Sequence, residues 1–367
     1  MLREMVEIES PTDDAAAVTR MAEWVAERVA PYATVRLSSG RPYGKNLRCE
    51  FKLKGAPPDK RILALGHCDT VWPVGTLKKM PFREESGVIY GPGSFDMKGG
   101  ISYFLMAMEA IRELGLRPAA RVTLLLVSDE EVGSLRSRGL SEECAAKSNL
   151  ALVLEPAMGV EGKLKTARKG TGLYRIRVDG KPAHSGIDFE AGASAVLELA
   201  RQVEVIAGLT QLAKGVTLNP GVIRGGTKTN VVAAEAELSG DIRFWKTRDG
   251  ESAVRKLHRL KPVDGRCRIT VEAGLNRPAL ERTPAVRKHF QHARKIGLEL
   301  GLDLQEASTG GASDGNFVAA LGVPVLDGIG AVGDGAHAAN EHIQADLMPQ
   351  RAALLAGLLT RPLPQTP

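Results

Sequence analysis

At 367 residues, with 43% hydrophobic and 25% charged residues, the chain is long for one hydrophobic core and ordinary in composition for a soluble protein of two domains. Its net charge of +6 comes from scattered Lys and Arg without a basic run, and aromatics are only 4%, so a solvated basic surface is expected and no nucleic-acid partner. No apolar stretch approaches the roughly 18 residues of a membrane helix. The start Met1-Leu2-Arg3-Glu4-Met5-Val6-Glu7 lacks a secretory apolar core, and Cys49, Cys68, Cys144 and Cys267 show no CxxC spacing, so a reduced, cytoplasmic protein without a membrane partner is expected.

Residues 13–29 are Ala-rich with apolar positions at helical spacing and are stopped by Pro31, which predicts a helix. Residues 35–37 and 46–53 read as strands. The apolar run 62–66, ending at Gly66, has the pattern of a strand buried on both faces. A helix is expected over 98–114, just after Asp96 and ended by Gly115, and 122–127 and 150–154 read as two further buried strands. Strands alternating with helices predict an α/β fold, a mostly parallel sheet in a three-layer domain.

From about residue 170 the pattern changes. Residues 173–179 alternate like a half-buried strand; 191–213 read as helix, 216–224 and 234–245 as strands, 248–260 as helix and 267–272 as a last strand. That order, β-α-β-β-α-β, is the split arrangement of a ferredoxin-like α+β domain. Helix then returns over 284–300, with short strands near 323–326 and a closing helix over 347–359. The expected division is a discontinuous domain of residues 1–168 and 281–367, into which residues 169–280 are inserted. No internal repeat is visible, and the Pro-rich tail 361–367 is expected to fray.

Several residues at strand ends carry chemistry. His67 and Asp69 lie just past a buried strand, two apart and so on one side. Two readings are open: His67 binds a metal while Asp69 bonds its other ring nitrogen, or an ordinary histidine sits beside a turn-capping acid. Asp96 follows the turn Gly91-Pro92-Gly93 and precedes a helix, which makes it either an N-cap or a ligand. That turn lacks the third glycine of a dinucleotide fingerprint and the Gly-Lys-Ser/Thr of a phosphate loop, which excludes both.

Glu130 and Glu131 follow the strand 122–127, at the carboxyl end where open α/β sheets carry ligand sites. Alone they would be a solvated turn. Here one carboxylate can hold a metal while its neighbour faces a water as base. Glu155, fixed by Pro156, ends the next strand, and His337 lies in the polar loop Gly335-Ala336-His337-Ala338-Ala339-Asn340-Glu341. Jointly these positions supply what two hard divalent ions need: imidazoles, carboxylates and one shared carboxylate. Cys68, between His67 and Asp69, is expected to fill core space.

The motifs Gly66-His67-Cys68-Asp69-Thr70-Val71-Trp72-Pro73, Gly91-Pro92-Gly93 with Asp96-Met97-Lys98-Gly99-Gly100, Asp129-Glu130-Glu131, Glu155-Pro156 and Pro182-Ala183-His184-Ser185-Gly186 resemble the zinc-dependent M20 metallopeptidase family, in its glutamate carboxypeptidase-like branch, over essentially the whole chain. The resemblance implies two zinc ions per chain, replaceable by cobalt or manganese. Asp96 would bridge them, His67 and Glu155 would complete one shell, and Glu131 and His337 the other. Glu130 would be the general base and Asp69 the orienter of His67. It also implies that His184 polarises the scissile carbonyl across a homodimer, and that Asn230 and Arg243 contact a substrate carboxylate. Lys163 would assist specificity, and Gly311, in Gly310-Gly311-Ala312-Ser313-Asp314, would line the carboxylate end.

On this resemblance residues 169–280 form a lid and dimerisation domain. The expected reaction is hydrolysis of an amide or peptide bond next to a free carboxylate, releasing C-terminal glutamate from a small N-acyl amino acid or peptide. An N-acyl-amino-acid or acetylornithine deacetylase and a dipeptidase share the same metal core and stay open, as does a non-catalytic scaffold. The continuation Trp72-Pro73-Val74-Gly75-Thr76 tilts the choice towards glutamate release.

Overall fold

A computed structural model of the chain describes residues 1–364; the expected fraying of the tail falls in part on residues 365–367, outside them. The chain forms two compact units. The first holds Met1–Ala167, Leu280–Thr309 and the chain from Ser313 onward; the second holds Arg168–Ala279 and Gly310–Ala312.

The first unit is built on a six-stranded sheet in the order Ala33–Ser39, Lys45–Phe51, Arg121–Val127, Arg61–His67, Leu150–Val153, Val325–Leu326. The last four strands run parallel, and the first two add antiparallel at one edge. The apolar runs are continuous because both faces are covered. Ile62, Ala64, Leu124, Leu126 and Leu152 pack on one side with residues of the helices Ala15–Val29, Gly99–Glu113, Pro284–Glu299 and Met348–Thr360. Leu63, Leu65, Leu125, Val127 and Val153 pack on the other with Arg138–Ala145 and Gly315–Ala320. The result is the expected three-layer α/β arrangement, with each buried Leu or Val worth about 1.5–3 kcal/mol of transfer free energy.

Local signals explain the element ends. Ala15–Val29 starts where the Asp14 carboxylate accepts the amides of Ala16 and Ala17, and it buries Val18, Met21, Ala22, Val25 and Val29 at helical spacing. Gly99–Glu113 opens against the end of the strand Leu150–Val153. A Cβ on Gly100 would come within 1.9 Å of the Leu154 carbonyl oxygen, so only glycine permits that approach.

The second unit is a four-stranded antiparallel sheet in the order Thr217–Gly225, Glu235–Phe244, Gly170–Asp179, Arg268–Arg277. Tyr174, Ile176 and Val178 alternate inward and pack with Leu199 and Ile206 of Ala195–Ala207 and with Ala253 and Leu257 of Thr247–Leu257. This is the expected βαββαβ order. The helix expected over 191–213 is shorter: Ser194 caps it at the Leu197 amide and the chain leaves it at Gly208. Among the described residues no helix is long and apolar enough to cross a membrane. Cys49, Cys68, Cys144 and Cys267 are all free and buried.

Candidate metal centre

Arg61–His67, Arg121–Val127 and Leu150–Val153 are parallel and in register, with His67 opposite Val127 and Leu65 opposite Val153, so their carboxyl ends finish side by side. The residues just beyond those ends converge. Nε2 of His67 lies 3.3 Å from Oδ1 of Asp96 and 3.5 Å from Oε1 of Glu155. Nε2 of His337 lies 3.4 Å from Oδ2 of Asp96 and 3.3 Å from Oε2 of Glu131. Glu130 joins His67 and Glu155 in a group whose ligand atoms all lie within 4.8 Å of one another. The two oxygens of Asp96 thus address two different imidazoles.

These spacings fit metal coordination. Two ligands on bonds of about 2.0–2.1 Å in tetrahedral geometry stand about 3.3–3.4 Å apart, which matches the edges around both histidines. Nε2 of His67, Oδ1 of Asp96 and Oε1 of Glu131 are buried and have no hydrogen-bond partner among the described residues. Buried polar atoms left in that state are costly, and a divalent ion at each histidine would satisfy them.

The charges point the same way. Burial works against a charged His67 ring, yet the carboxylates of Asp69, Asp96 and Glu155 outweigh it and hold its pKa well above the usual histidine value. His337 is raised to about 10 by the carboxylates of Asp96 and Glu131. Burial raises Glu131, whereas Asp96, although buried, is held below the usual carboxylate range by its two histidines. The pocket is short of positive charge.

Asp96 does not cap the following helix. Its φ of −116° and ψ of 95° are non-helical within the π-type turn Ser94–Lys98, and the N-cap of Gly99–Glu113 is Lys98. Its carboxylate is thereby released to face the histidines. His337 adopts φ +62°, in the left-handed region, and its side chain is 51% exposed against 1% for His67.

The surroundings hold these groups. Nδ1 of His67 is 2.9 Å from the Asp69 carbonyl oxygen and 3.4 Å from its carboxylate Oδ1. The Asp69 carboxylate instead accepts the hydroxyl of Thr12 at 2.8 Å and the amides of Glu130 and Glu131 at 3.3 and 3.2 Å. Three supporting residues escaped the sequence reading. They are Thr12, the buried Arg351, whose guanidinium donates to the carbonyls of Gly330, Gly162 and Gly328, and Glu341, which accepts from Trp72, Gly93, Phe95 and Asp96. Only Glu341, in the same loop as His337, stood near a motif that could have flagged it.

Of the expected substrate residues, Lys163 belongs to the first unit, where its ammonium pairs with Glu161 at 3.6 Å. His184, Asn230, Arg243 and Gly311 belong to the second. There the segments of His184 and Asn230 are joined, the Ser185 amide donating to the Asn230 carbonyl and Val232 to Ala183. Arg243 pairs with Asp241 at 2.8 Å and donates to the Gly310 carbonyl, and Arg168 donates to the Gly311 carbonyl. Arg243 and Gly311 are therefore brought into one neighbourhood.

Residues 63–361 match peptidase family M20/M25/M40. The chain is 30% identical over 370 aligned residues to carboxypeptidase G2 of Pseudomonas sp. (strain RS-16), spanning 98% of this chain and 87% of that protein. It is 27% identical over 350 residues to a succinyl-diaminopimelate desuccinylase of Delftia acidovorans, with 89% of each covered. The crystal structure of aminopeptidase PepT from Bacillus cereus superposes with a TM-score of 0.80 over 98% of this chain and 96% of that one, at 20% identity.

Proposed function

The chain belongs to peptidase family M20/M25/M40, and on that premise we propose that it is a two-zinc hydrolase of amide or peptide bonds next to a free carboxylate, releasing C-terminal glutamate. The observation that carries the reading is the Asp96 carboxylate, whose two oxygens lie 3.3 and 3.4 Å from the Nε2 atoms of His67 and His337. His67, Asp96 and Glu155 would hold one ion and Asp96, Glu131 and His337 the other; cobalt or manganese suits the same donors. A pair of such ions supplies Lewis-acid polarisation of a carbonyl and acidifies a water.

The chain's own residues do the rest. Glu130, whose amide is pinned to Asp69, is the base that takes the proton of the attacking water and returns it to the leaving nitrogen. Asp69 orients His67 and the Glu130–Glu131 turn together. Arg243, a planar fork beside the Gly310–Ala312 segment, suits a carboxylate, with Asn230 and Gly311 contributing to its recognition, and Lys163 would assist specificity. His184 would stabilise the developing oxyanion.

The second unit would act as lid and dimerisation domain. Its edge strand Thr217–Gly225 leaves Val222 and Ile223 exposed, which supports a contact with a second copy along that edge. Four free thiols suit a cytoplasmic setting. A deacylase is the second reading, favoured by the likeness to the desuccinylase.

The test is a panel of N-acyl glutamates, other N-acyl amino acids and dipeptides, with zinc or cobalt added. Preferred release of glutamate supports the first reading, and preferred removal of a small acyl group from other amino acids supports the second. No metal-dependent amide cleavage on any member rejects both.

A further inference from the structure

We propose that Glu341 is a positioning residue that sets the spacing of the two ions by fixing the backbone of Asp96, an inference that rests on the metal-centre reading above. Glu341 is 1% exposed. Its Oε1 accepts the amides of Phe95 and Asp96, both at 2.9 Å, and its Oε2 accepts the Gly93 amide at 2.8 Å and the Trp72 indole N–H at 2.6 Å. Four donors use all the in-plane acceptor directions a carboxylate has.

These bonds join three segments that are remote in sequence, each carrying a proposed ligand. Trp72 follows His67 by five residues, the amides of Gly93, Phe95 and Asp96 frame the bridging acid, and Glu341 follows His337 by four. The main chain reinforces the tie: the Gly91 amide donates to the Glu341 carbonyl and the Glu341 amide to the Ala338 carbonyl.

The physical consequence falls on Asp96. Its side chain has only two torsions, and its oxygens must reach two imidazoles at once. The non-helical backbone at Asp96 is held from one side by the Glu341 carboxylate. A displacement of that amide therefore moves both Asp96 contacts together, whereas a shift of Glu155 or Glu131 would disturb one ion. Charge-assisted bonds from backbone amides are among the stronger ones in proteins, and partners that orient a ligand typically govern metal affinity by 10–100-fold. The tie should thus appear in the relation between the two ions rather than in either alone.

The experiment uses the full chain, stripped of metal and titrated with Co2+, comparing wild type with Glu341→Gln and Trp72→Phe. Readouts are the circular dichroism of the metal-free protein, the stepwise affinities, and the magnetic coupling of the cobalt pair in low-temperature electron paramagnetic resonance. Expected for Glu341→Gln is a native dichroism spectrum, a tightest site within about threefold of wild type, a second site weakened about tenfold or more, and loss of the coupled signal. Trp72→Phe, which removes one of the four donors, should lie between. A second site within threefold of wild type and an unchanged coupled signal in Glu341→Gln overturn the inference. If that protein does not fold, Trp72→Phe decides: a second site weakened threefold or more supports it, and no change overturns it. A wild-type chain that takes up fewer than two ions rejects the metal-centre reading, and this inference with it, which is a distinct result.

Discussion

Nδ1 of His67 lies 2.9 Å from the backbone carbonyl of Asp69. A carbonyl only accepts, so the partner ring nitrogen is protonated and Nε2 is left to face Asp96 and Glu155 with its lone pair when a cation is present. The tautomer is thus set by main chain, and the Asp69 carboxylate is free to hold the amides of Glu130 and Glu131.

Asp69→Asn separates the two tasks. The carbonyl contact survives, but an amide NH2 cannot accept from both backbone N–H groups. Metal content should stay near wild type while kcat falls about 10–100-fold, measured by steady-state kinetics alongside metal analysis. A large loss of metal with little change in kcat per occupied site would refute this division.

Glu130 and Glu131 are neighbours with different expected fates. Glu130→Gln should keep two ions and lose turnover by about 10²–10⁴-fold, whereas Glu131→Ala should lose one ion per chain. Elemental analysis of both purified proteins tells them apart. Wild-type turnover in Glu130→Gln would remove it as the base.

His289 predicts an acid-sensitive fold. It is 2% exposed, and neither ring nitrogen has a hydrogen-bond partner among the described residues. Burial, with smaller contributions from His292 and Lys288, lowers its pKa to about 4. The unfolded chain, with an ordinary histidine, binds more protons between the two values, so stability rises with pH across that window and is lost as pH falls from about 6.5 towards 4. His289→Phe should remove on the order of 2–3 kcal/mol of this dependence, seen as a smaller shift in urea midpoint between pH 7.5 and pH 4.5. Equal shifts in both proteins would count against the neutral buried histidine.

Arg351 is 1% exposed and donates to the carbonyls of Gly330, Gly162 and Gly328, while the Gly330 amide donates to the Glu155 carbonyl. Arg351→Met leaves three buried carbonyls without their donor and should cost about 1–3 kcal/mol for each one left unsatisfied, measured by chemical denaturation of the metal-free chain. A loss under about 1 kcal/mol would mean that water replaces the guanidinium.

The sheet was legible because its strands are continuous apolar runs and the chemistry stands where each run stops, as at His67, Glu131 and Glu155. The six-residue helix Gly315–Ala320 and Arg138–Ala145, with Gly139 in its first turn, offered too little apolar periodicity to be seen. Asp96 was ambiguous for a different reason. A glycine turn before a helix normally ends in a cap, and the acceptor that holds the Asp96 amide in its non-helical geometry belongs to Glu341, 245 residues away. Long-range hydrogen bonds leave no mark in local sequence. Neither does the convergence of Arg243 with the Gly310–Ala312 segment, which joins residues 67 positions apart.

The difference in exposure between the two histidines, 1% at His67 and 51% at His337, would give two ions held there unequal access to solvent. An ion held at His337 would meet solvent more readily than one held at His67, whose ring is buried. A chelator should therefore strip the protein in two phases, the faster one ending activity while half the metal is still bound.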